Sequence, residues 1–120
     1  MLNLDTNILL ATVNNDLTPG EEKLIRGGDL AISDIVLWEL AKLVQLNRIR
    51  LDLEGTVFKR VVRQLMVYPI TLEIARKSTT LDFRSDPADE IIAATSVVER
   101  IPLLTRDRKI LKSSVVPLAR

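Results

Sequence analysis

Three carboxylates stand close together in the segment D-P-A-D-E-I-I-A-A-T, and an apolar run follows them directly. They are Asp86, Asp89 and Glu90. Helix chemistry alone can explain all three, because Asp86 can act as an N-cap before Pro87, and acids in the first turn face the positive end of the helix. Grouped carboxylates can equally bind a hard cation such as Mg²⁺ or Mn²⁺, which prefers oxygen ligands. The segment by itself leaves both interpretations open.

Three more acids lie in separate parts of the chain, each with an ordinary structural explanation. Asp5 follows the apolar opening and could cap the helix that starts at the next residue. Asp107 lies in T-R-D-R-K and could be a solvated turn acid paired with a neighbouring arginine. Glu39 lies inside I-V-L-W-E-L-A-K-L-V, where a pair with Lys42 would contribute only about 0.2–0.5 kcal/mol. Because a glutamate in apolar surroundings is seldom buried without a partner, a cation matches Glu39 better.

Cysteine and histidine are both absent from the 120 residues. Their absence excludes disulfides, thiolate nucleophiles, zinc sites of the Cys/His type and histidine acid–base catalysis. The sequence also lacks the G-x-x-x-x-G-K-[ST] and G-x-G-x-x-G phosphate-binding patterns. Any catalysis must therefore use carboxylates, Lys, Arg, Ser, Thr or Tyr, and the natural cofactor for carboxylates is Mg²⁺ or Mn²⁺.

Short strand-like segments alternate with longer helix-like segments along the chain. Strands are predicted at 2–4, 30–32, 67–70, 101–105 and 115–118. Helices are predicted at 6–13, 18–26, 34–47, 52–66, 71–80, 87–99 and 108–111. This alternation predicts one α/β domain over residues 1–120, with an open parallel five-stranded sheet and helices on both faces. No apolar run approaches the roughly 20 residues of a membrane helix and no signal peptide is recognisable, so a soluble cytoplasmic protein is expected.

The acids fall near the carboxyl ends of the predicted strands, the edge where open parallel sheets bind ligands. Asp5 ends the first strand, and Glu39 lies in the helix after the second. Asp86 and Asp89 open the helix before the fourth strand, and Asp107 follows that strand. Two carboxylates about 4 Å apart repel each other by roughly 4 kcal/mol at an effective dielectric near 20, so a gathered set needs a compensating charge. One or two divalent cations would supply it and could also activate a water and bind a phosphodiester.

Four segments of this chain resemble the motifs of a known family, in the right order and spacing. They are L-D-T-N-I-L-L, S-D-I-V-L-W-E-L, D-P-A-D-E-I-I-A-A-T and L-L-T-R-D-R-K-I, and together they span essentially the whole chain. The chain is similar to PIN-domain ribonucleases, and within that group to VapC-type toxins of toxin–antitoxin pairs. The resemblance implies hydrolysis of RNA with Mg²⁺ or Mn²⁺ held by four acids.

The resemblance also assigns roles to individual positions. The implied metal ligands and catalytic residues are Asp5, Glu39, Asp89 and Asp107. The implied secondary positions are Asn7 and Thr105, which flank the site, and Asp86, which serves as helix cap and occasional outer partner. Many relatives carry Arg after the second acid of the D-P-x-D element, whereas this chain has Glu90. That departure changes the local charge and bears on how RNA is placed, but it removes no ligand.

Charge and apolar surface suggest partners. The chain has 17 basic against 16 acidic residues, and setting the four site acids aside leaves an excess of five positive charges for contacts to RNA phosphates. The candidates for those contacts are Arg84, Arg106, Arg108 and Lys109. Apolar residues beyond one core stripe, at Leu24, Ile25, Leu43, Val44 and Leu46, indicate an interface. The resemblance implies both a homodimer and a small antitoxin whose basic side chain could reach the carboxylates in place of a cation.

Two other classes of protein share some of these features. A phosphoacceptor receiver domain has a similar length and alternation, but it needs paired acids after the first strand, an Asp after the third and a Lys after the fifth. A PIN-like module that binds RNA or protein without cleaving is the second alternative. The four intact acids argue against the second alternative, and metal-dependent turnover would distinguish it from an enzyme.

Overall fold

Strands and helices alternate in the computed structural model, which describes all 120 residues. Four strands and seven helices follow one another along the chain. Their bounds are β1 (Leu2–Leu4), α1 (Thr6–Val13), α2 (Pro19–Ile25), β2 (Leu30–Ser33), α3 (Asp34–Gln45), α4 (Thr56–Arg63), β3 (Met66–Tyr68), α5 (Leu72–Ser78), α6 (Pro87–Glu99), β4 (Leu103–Leu104) and α7 (Arg108–Leu111). The predicted α/β class with a parallel sheet is confirmed.

All four strands are parallel and lie in the order β3-β2-β1-β4. The chain moves outward from β1 through β2 to β3 and then returns to the other side of β1 to form β4. Right-handed connections are expected to place the helices on both faces of such a sheet, and α3 and α6 both contact β2. The strand order therefore reverses between β1 and β4, and the carboxyl ends of these two strands border the crevice where ligands of such sheets bind.

The predicted fifth strand at 115–118 is wrong. This segment meets the sheet only through one parallel bridge between Leu103 and Leu118. Pro117 has no backbone N–H to give to a ladder. The N–H of Val115 donates instead to Ser113 Oγ at 3.1 Å, so the chain turns where the strand was expected to begin.

The helix expected at 52–66 is shorter in the structure, because its first residues form a turn. Asp52 Oδ1 accepts a hydrogen bond from the N–H of Glu54 at 3.0 Å, and Asp52 O accepts one from the N–H of Gly55 at 3.0 Å. Gly55 then stands at the N-cap position of α4. None of the seven helices is long and apolar enough to cross a membrane.

The core is built from buried apolar side chains of the sheet and of the helices around it. Its fully buried members include Leu4 on β1, Leu40 on α3 and Ile92 on α6. Asn3 is also fully buried on β1, and its Nδ2 donates to Ser96 Oγ at 2.9 Å and to the carbonyl of Ile92 at 3.3 Å. This polar contact ties α6 to the centre of the sheet and thereby fixes the helix that carries Asp89.

Candidate active site

A side-chain hydrogen bond between Asp5 and Thr105 joins the carboxyl ends of β1 and β4. Asp5 directly follows β1, is only 3% exposed, and is the N-cap of α1, where its Oδ1 accepts from the N–H of Thr6 at 2.8 Å. Its Oδ2 accepts from Thr105 Oγ1 at 2.6 Å. Thr105 directly follows β4 and is itself buried. Asp5 thus caps a helix and also faces the crevice, so the two roles considered for it coexist.

Glu39 on α3 is linked to Asp5 through Thr6, which contacts both carboxylates. The Thr6 hydroxyl donates a hydrogen bond to Glu39 Oε1, and Glu39 is half-buried. Lys42 is not its partner, because the Lys42 ammonium donates to Gln45 Oε1 at 2.7 Å. The helical ion pair that would have explained Glu39 is therefore absent, and its carboxylate is turned toward α1 instead.

At the start of α6, Asp86 makes no capping contact, whereas Asp89 and Glu90 both contact Ser85. Asp86 occupies the predicted N-cap position, but its side chain makes no capping hydrogen bond and is exposed. Ser85 makes the contacts instead, since its Oγ donates to Asp89 Oδ2 at 2.8 Å and its N–H donates to Glu90 Oε2 at 3.3 Å. The expectation that the Asp86 carboxylate caps the helix is therefore wrong, and its charge adds to the repulsion on Glu39 and Asp89.

Asp107 contacts the crevice through Thr105, whereas the Asn7 side chain makes no hydrogen bond with the candidate acids. Asp107 caps α7, where its Oδ1 accepts from the N–H groups of Lys109 at 2.8 Å and Ile110 at 3.3 Å. Its own N–H donates to Thr105 Oγ1 at 3.0 Å, so Thr105 contacts both Asp5 and Asp107. Asn7 is exposed in the first turn of α1 and makes no side-chain hydrogen bond.

Burial and mutual repulsion act on the carboxylates together. Burial raises the pKa of the Asp5 carboxyl, and the charges of Glu39 and Asp107 raise it further, against the hydrogen bonds from Thr105 and Thr6. Burial likewise raises the pKa of Glu39, with added repulsion from Asp89 and Asp86.

Asp89 is subject to the same influences. Burial raises its pKa first, the hydrogen bond from Ser85 opposes the shift, and the charges of Asp5, Asp107 and Asp86 add to it. The charge of at least one other acid therefore acts on each of Asp5, Glu39 and Asp89, and Asp107 contributes to the repulsion on Asp5 and Asp89. The four predicted acids thus form one electrostatic cluster.

The donor set of this cluster matches a hard divalent cation, since it consists of carboxylate oxygens partly withdrawn from water. No three of the acidic side chains are already arranged to hold a metal ion. The hydroxyl groups of Thr105, Thr6 and Ser85 each donate a hydrogen bond to one of these carboxylates.

Two of these hydroxyl residues, Thr6 and Ser85, were missed at the level of sequence. Each immediately precedes or follows a candidate acid segment, in D-T-N and S-D-P. Serine and threonine are common at helix starts, so their presence beside an acid does not by itself indicate a role in a functional site. A search for hydroxyl residues beside each acid would have found both.

Arg106, predicted as a contact for RNA phosphate, is already engaged. Its Nε donates to Glu21 Oε2 at 2.8 Å and its Nη2 donates to Glu21 Oε1 at 2.6 Å. The hydrogen bonds from Arg106 lower the pKa of Glu21 to about 2, so the carboxylate stays ionised at neutral pH. Arg84, Arg108 and Lys109 form no ion pair and remain candidates.

Comparisons with known proteins place this chain in a wider group. A family model described as PIN domain matches residues 3–114. VapBC2 from Rickettsia felis, solved with a DNA fragment from its promoter, is similar over 99% of this chain and 98% of that chain, at 20% identity and a TM-score of 0.75. FitAcB from Neisseria gonorrhoeae is similar over 100% and 97%, at 18% identity and a TM-score of 0.72.

A toxin–antitoxin complex from Klebsiella pneumoniae is similar over 93% of this chain and 91% of that chain, at 21% identity and a TM-score of 0.71. At these identities the likeness concerns the fold. No curated protein matches the chain.

The raised pKa of Asp89 predicts how stability depends on pH. An acid whose pKa is higher in the folded than in the unfolded state destabilises the fold once it is ionised, and the cost disappears as pH falls toward the ordinary value of 3.8. Asp89→Asn removes that charge and keeps an acceptor for Ser85. In excess chelator at neutral pH we expect the variant to melt at a higher temperature than the wild type, with the difference shrinking on acidification to about pH 4.

Asp29→Asn is the matched control, because Asp29 is exposed, lies at the opposite end of the sheet and makes no side-chain hydrogen bond. Its melting temperature should stay close to that of the wild type. A less stable Asp89→Asn protein at neutral pH, or a difference that persists on acidification, would contradict the repulsion described above.

Proposed function

Because the chain belongs to the PIN domain family, we propose that it is an endoribonuclease that hydrolyses RNA phosphodiesters with Mg²⁺ or Mn²⁺. The proposed ligands and catalytic residues are Asp5, Glu39, Asp89 and Asp107. One observation carries the proposal: four carboxylates from four separate segments lie close enough to repel one another near the crevice where the strand order reverses, and burial together with this repulsion raises the pKa of Asp5, Glu39 and Asp89. Such a cluster is costly for the fold unless positive charge is supplied there.

The chain's own residues set up the reaction in two ways. The side-chain hydroxyl of Thr105 holds Asp5, and the side-chain hydroxyl of Thr6 holds Glu39, each by one hydrogen bond. Ser85 holds Asp89 at the start of α6. A bound divalent cation would neutralise the acids, lower the pKa of a water and stabilise charge on the departing oxygen. With no histidine or cysteine in the chain, no covalent protein nucleophile is proposed.

Of the two alternative classes of protein, the structure argues against a receiver domain but not against a non-cleaving PIN-like module. A receiver domain needs an acid after the third strand and a lysine after the fifth. Here β3 is followed by Pro69 and Ile70, and the chain has no fifth strand. This alternative is therefore set aside. A PIN-like module that binds RNA or protein without cleaving it has the same fold, so only turnover separates it from the enzyme.

The proposal extends to partners. One solved structure of similar fold is described as a toxin–antitoxin complex, and another as a member of the VapBC family of toxin–antitoxin systems. We propose that this chain is the toxin of such a pair, active in the cytoplasm and inhibited by a small antitoxin that covers the acidic crevice. An arginine from the antitoxin is the side chain best suited to pair with these carboxylates.

A homodimer is proposed from exposed apolar side chains, but the residues differ from those predicted. Of the five predicted interface residues, only Leu46 is strongly exposed, at 53%, while Leu24 and Ile25 pack against the core. Trp38 on α3 and Val57 on α4 are each 55% exposed, and these are costly side chains to leave in water. We propose that Trp38, Val57 and Leu46 contribute to the dimer interface.

Removing any one site acid should abolish RNA cleavage. We expect Asp5→Asn, Glu39→Gln, Asp89→Asn and Asp107→Asn each to lower the rate of RNA cleavage by about two orders of magnitude or more, because the remaining acids bind the cation poorly. The measurement is cleavage of a labelled RNA pool with Mg²⁺ or Mn²⁺ and with excess chelator.

Asp29→Asn removes the same charge from the far end of the sheet and should retain full activity. Undiminished cleavage by Asp5→Asn, or by the wild type in excess chelator, would refute the proposed chemistry. Binding of RNA without any turnover would identify the non-cleaving module instead.

The proposed interface predicts the mass in solution. Light scattering at micromolar concentration should give a dimer, twice the chain mass of 13.5 kDa. Trp38→Glu should shift the mass to the monomer without unfolding the protein, since the Trp38 side chain is mostly outside the core. Leu72→Glu is a control, because Leu72 on α5 is 76% exposed and lies outside the proposed set. A wild-type monomer, or a Trp38→Glu protein that stays dimeric, would contradict the interface.

A further inference from the structure

Arg106 joins two parts of the chain that lie far apart in sequence. Its guanidinium donates two nearly parallel hydrogen bonds to the Glu21 carboxylate, at 2.8 and 2.6 Å, and a third to the carbonyl of Asp16 at 3.2 Å. Glu21 lies in the first turn of α2, and Asp16 lies in the loop between α1 and α2. One side chain thus connects the α1–α2 region to the segment that follows β4.

The Glu21 carboxylate is also held by contacts within its own helix, independently of Arg106. It belongs to the capping box of α2, in which Glu21 Oε1 accepts from the N–H of Thr18 at 2.9 Å and Thr18 Oγ1 accepts from the N–H of Glu21 at 3.2 Å. Isolated exposed ion pairs contribute little, largely because two mobile side chains must be ordered. Here one partner is already ordered and the other binds through a bidentate fork, so less freedom is lost.

The neighbours of Arg106 are two residues of the acid cluster. Thr105 holds Asp5 and receives the N–H of Asp107, and Asp107 is itself a proposed ligand. In extended backbone, successive side chains point to opposite sides. Thr105 is accordingly buried in the crevice, whereas Arg106 is exposed on the outside with its guanidinium on Glu21.

We infer that the Glu21–Arg106 ion pair is a positioning pair, which fixes the Thr105–Asp107 segment from outside so that Thr105 and Asp107 keep their places beside Asp5. Arg106 then acts through its neighbours and is not a contact for RNA phosphate. This inference rests on the proposed function for its kinetic consequences, but its structural part is independent of whether the protein cleaves RNA.

The test uses the full-length protein and the variants Glu21→Gln, Arg106→Gln and the double variant. Gln at position 21 keeps the capping box, so α2 should still start at the same place. Glu22→Gln and Arg26→Gln are matched controls, because both side chains are exposed on or beside α2 and form no ion pair. Arg106→Lys keeps the positive charge but cannot make the two-pronged hydrogen bond to Glu21. This variant replaces Arg106→Gln in the test if Arg106→Gln does not fold.

The first measurement is hydrogen exchange of the Asp107 amide, which donates to Thr105 in the structure. We expect Glu21→Gln and Arg106→Gln each to accelerate this exchange by about tenfold through local opening. The double variant should be no faster than either single variant, because the two share one interaction. Unchanged exchange at Asp107 in both single variants would overturn the inference, even for a protein without nuclease activity.

The second measurement is Mn²⁺ affinity by calorimetry together with RNA-cleavage kinetics. Positioning predicts that both single variants bind Mn²⁺ about three- to tenfold more weakly and lose kcat while KM is little changed. A phosphate contact predicts the opposite pattern: Arg106→Gln raises KM and flattens its salt dependence, whereas Glu21→Gln frees the arginine and lowers KM. That second pattern would overturn the inference, and the two controls should match the wild type throughout.

Discussion

Electrostatic repulsion among carboxylates at one edge of the sheet is the constraint on which the site depends. Asp5, Glu39 and Asp89 are withdrawn from water, and each experiences the charge of at least one other acid. The parallel sheet creates this situation, because its carboxyl ends collect residues that are distant in sequence. Asp89 shows the cost, since burial and the charges of three other acids raise its pKa and its ionised form therefore destabilises the fold. A cluster of acids with such raised pKa values is a candidate functional site.

The hydroxyl groups around the crevice show how the fold tolerates that cost. Thr105, Thr6 and Ser85 each give one hydrogen bond to a carboxylate and hold it in place without a positive charge nearby. The acids are thus electrostatically coupled, although no three of them are arranged to hold a metal ion.

Elements whose ends depend on residues within one helical turn could be predicted from the sequence. Contacts between segments that are distant in sequence could not. The bounds of α1, α6 and α7 follow from starts such as D-T-N and D-P that act within one turn. The prediction of a fifth strand was wrong because it followed only the apolar pattern of 115–118. Ser113 accepts the N–H of Val115, and Pro117 has no N–H for strand pairing. The positions of Asp5 after β1 and Asp107 after β4 could be predicted, as could those of Glu39 in α3 and Asp89 at the start of α6. The Glu21–Arg106 pair and the Thr6–Glu39 contact could not, since they join segments whose distance is fixed only by the sheet.

Calorimetric titration of the chelator-treated protein with Mn²⁺ at neutral pH tests the central claim most directly. If the acid cluster exists to hold a divalent cation, the wild type will show saturable binding, and the melting temperature will rise with Mn²⁺ because the ion binds only the folded state. Asp5→Asn will bind at least about tenfold more weakly, while Asp29→Asn will bind as the wild type does. Absence of saturable binding by the wild type, or equal affinity in Asp5→Asn, would contradict the account.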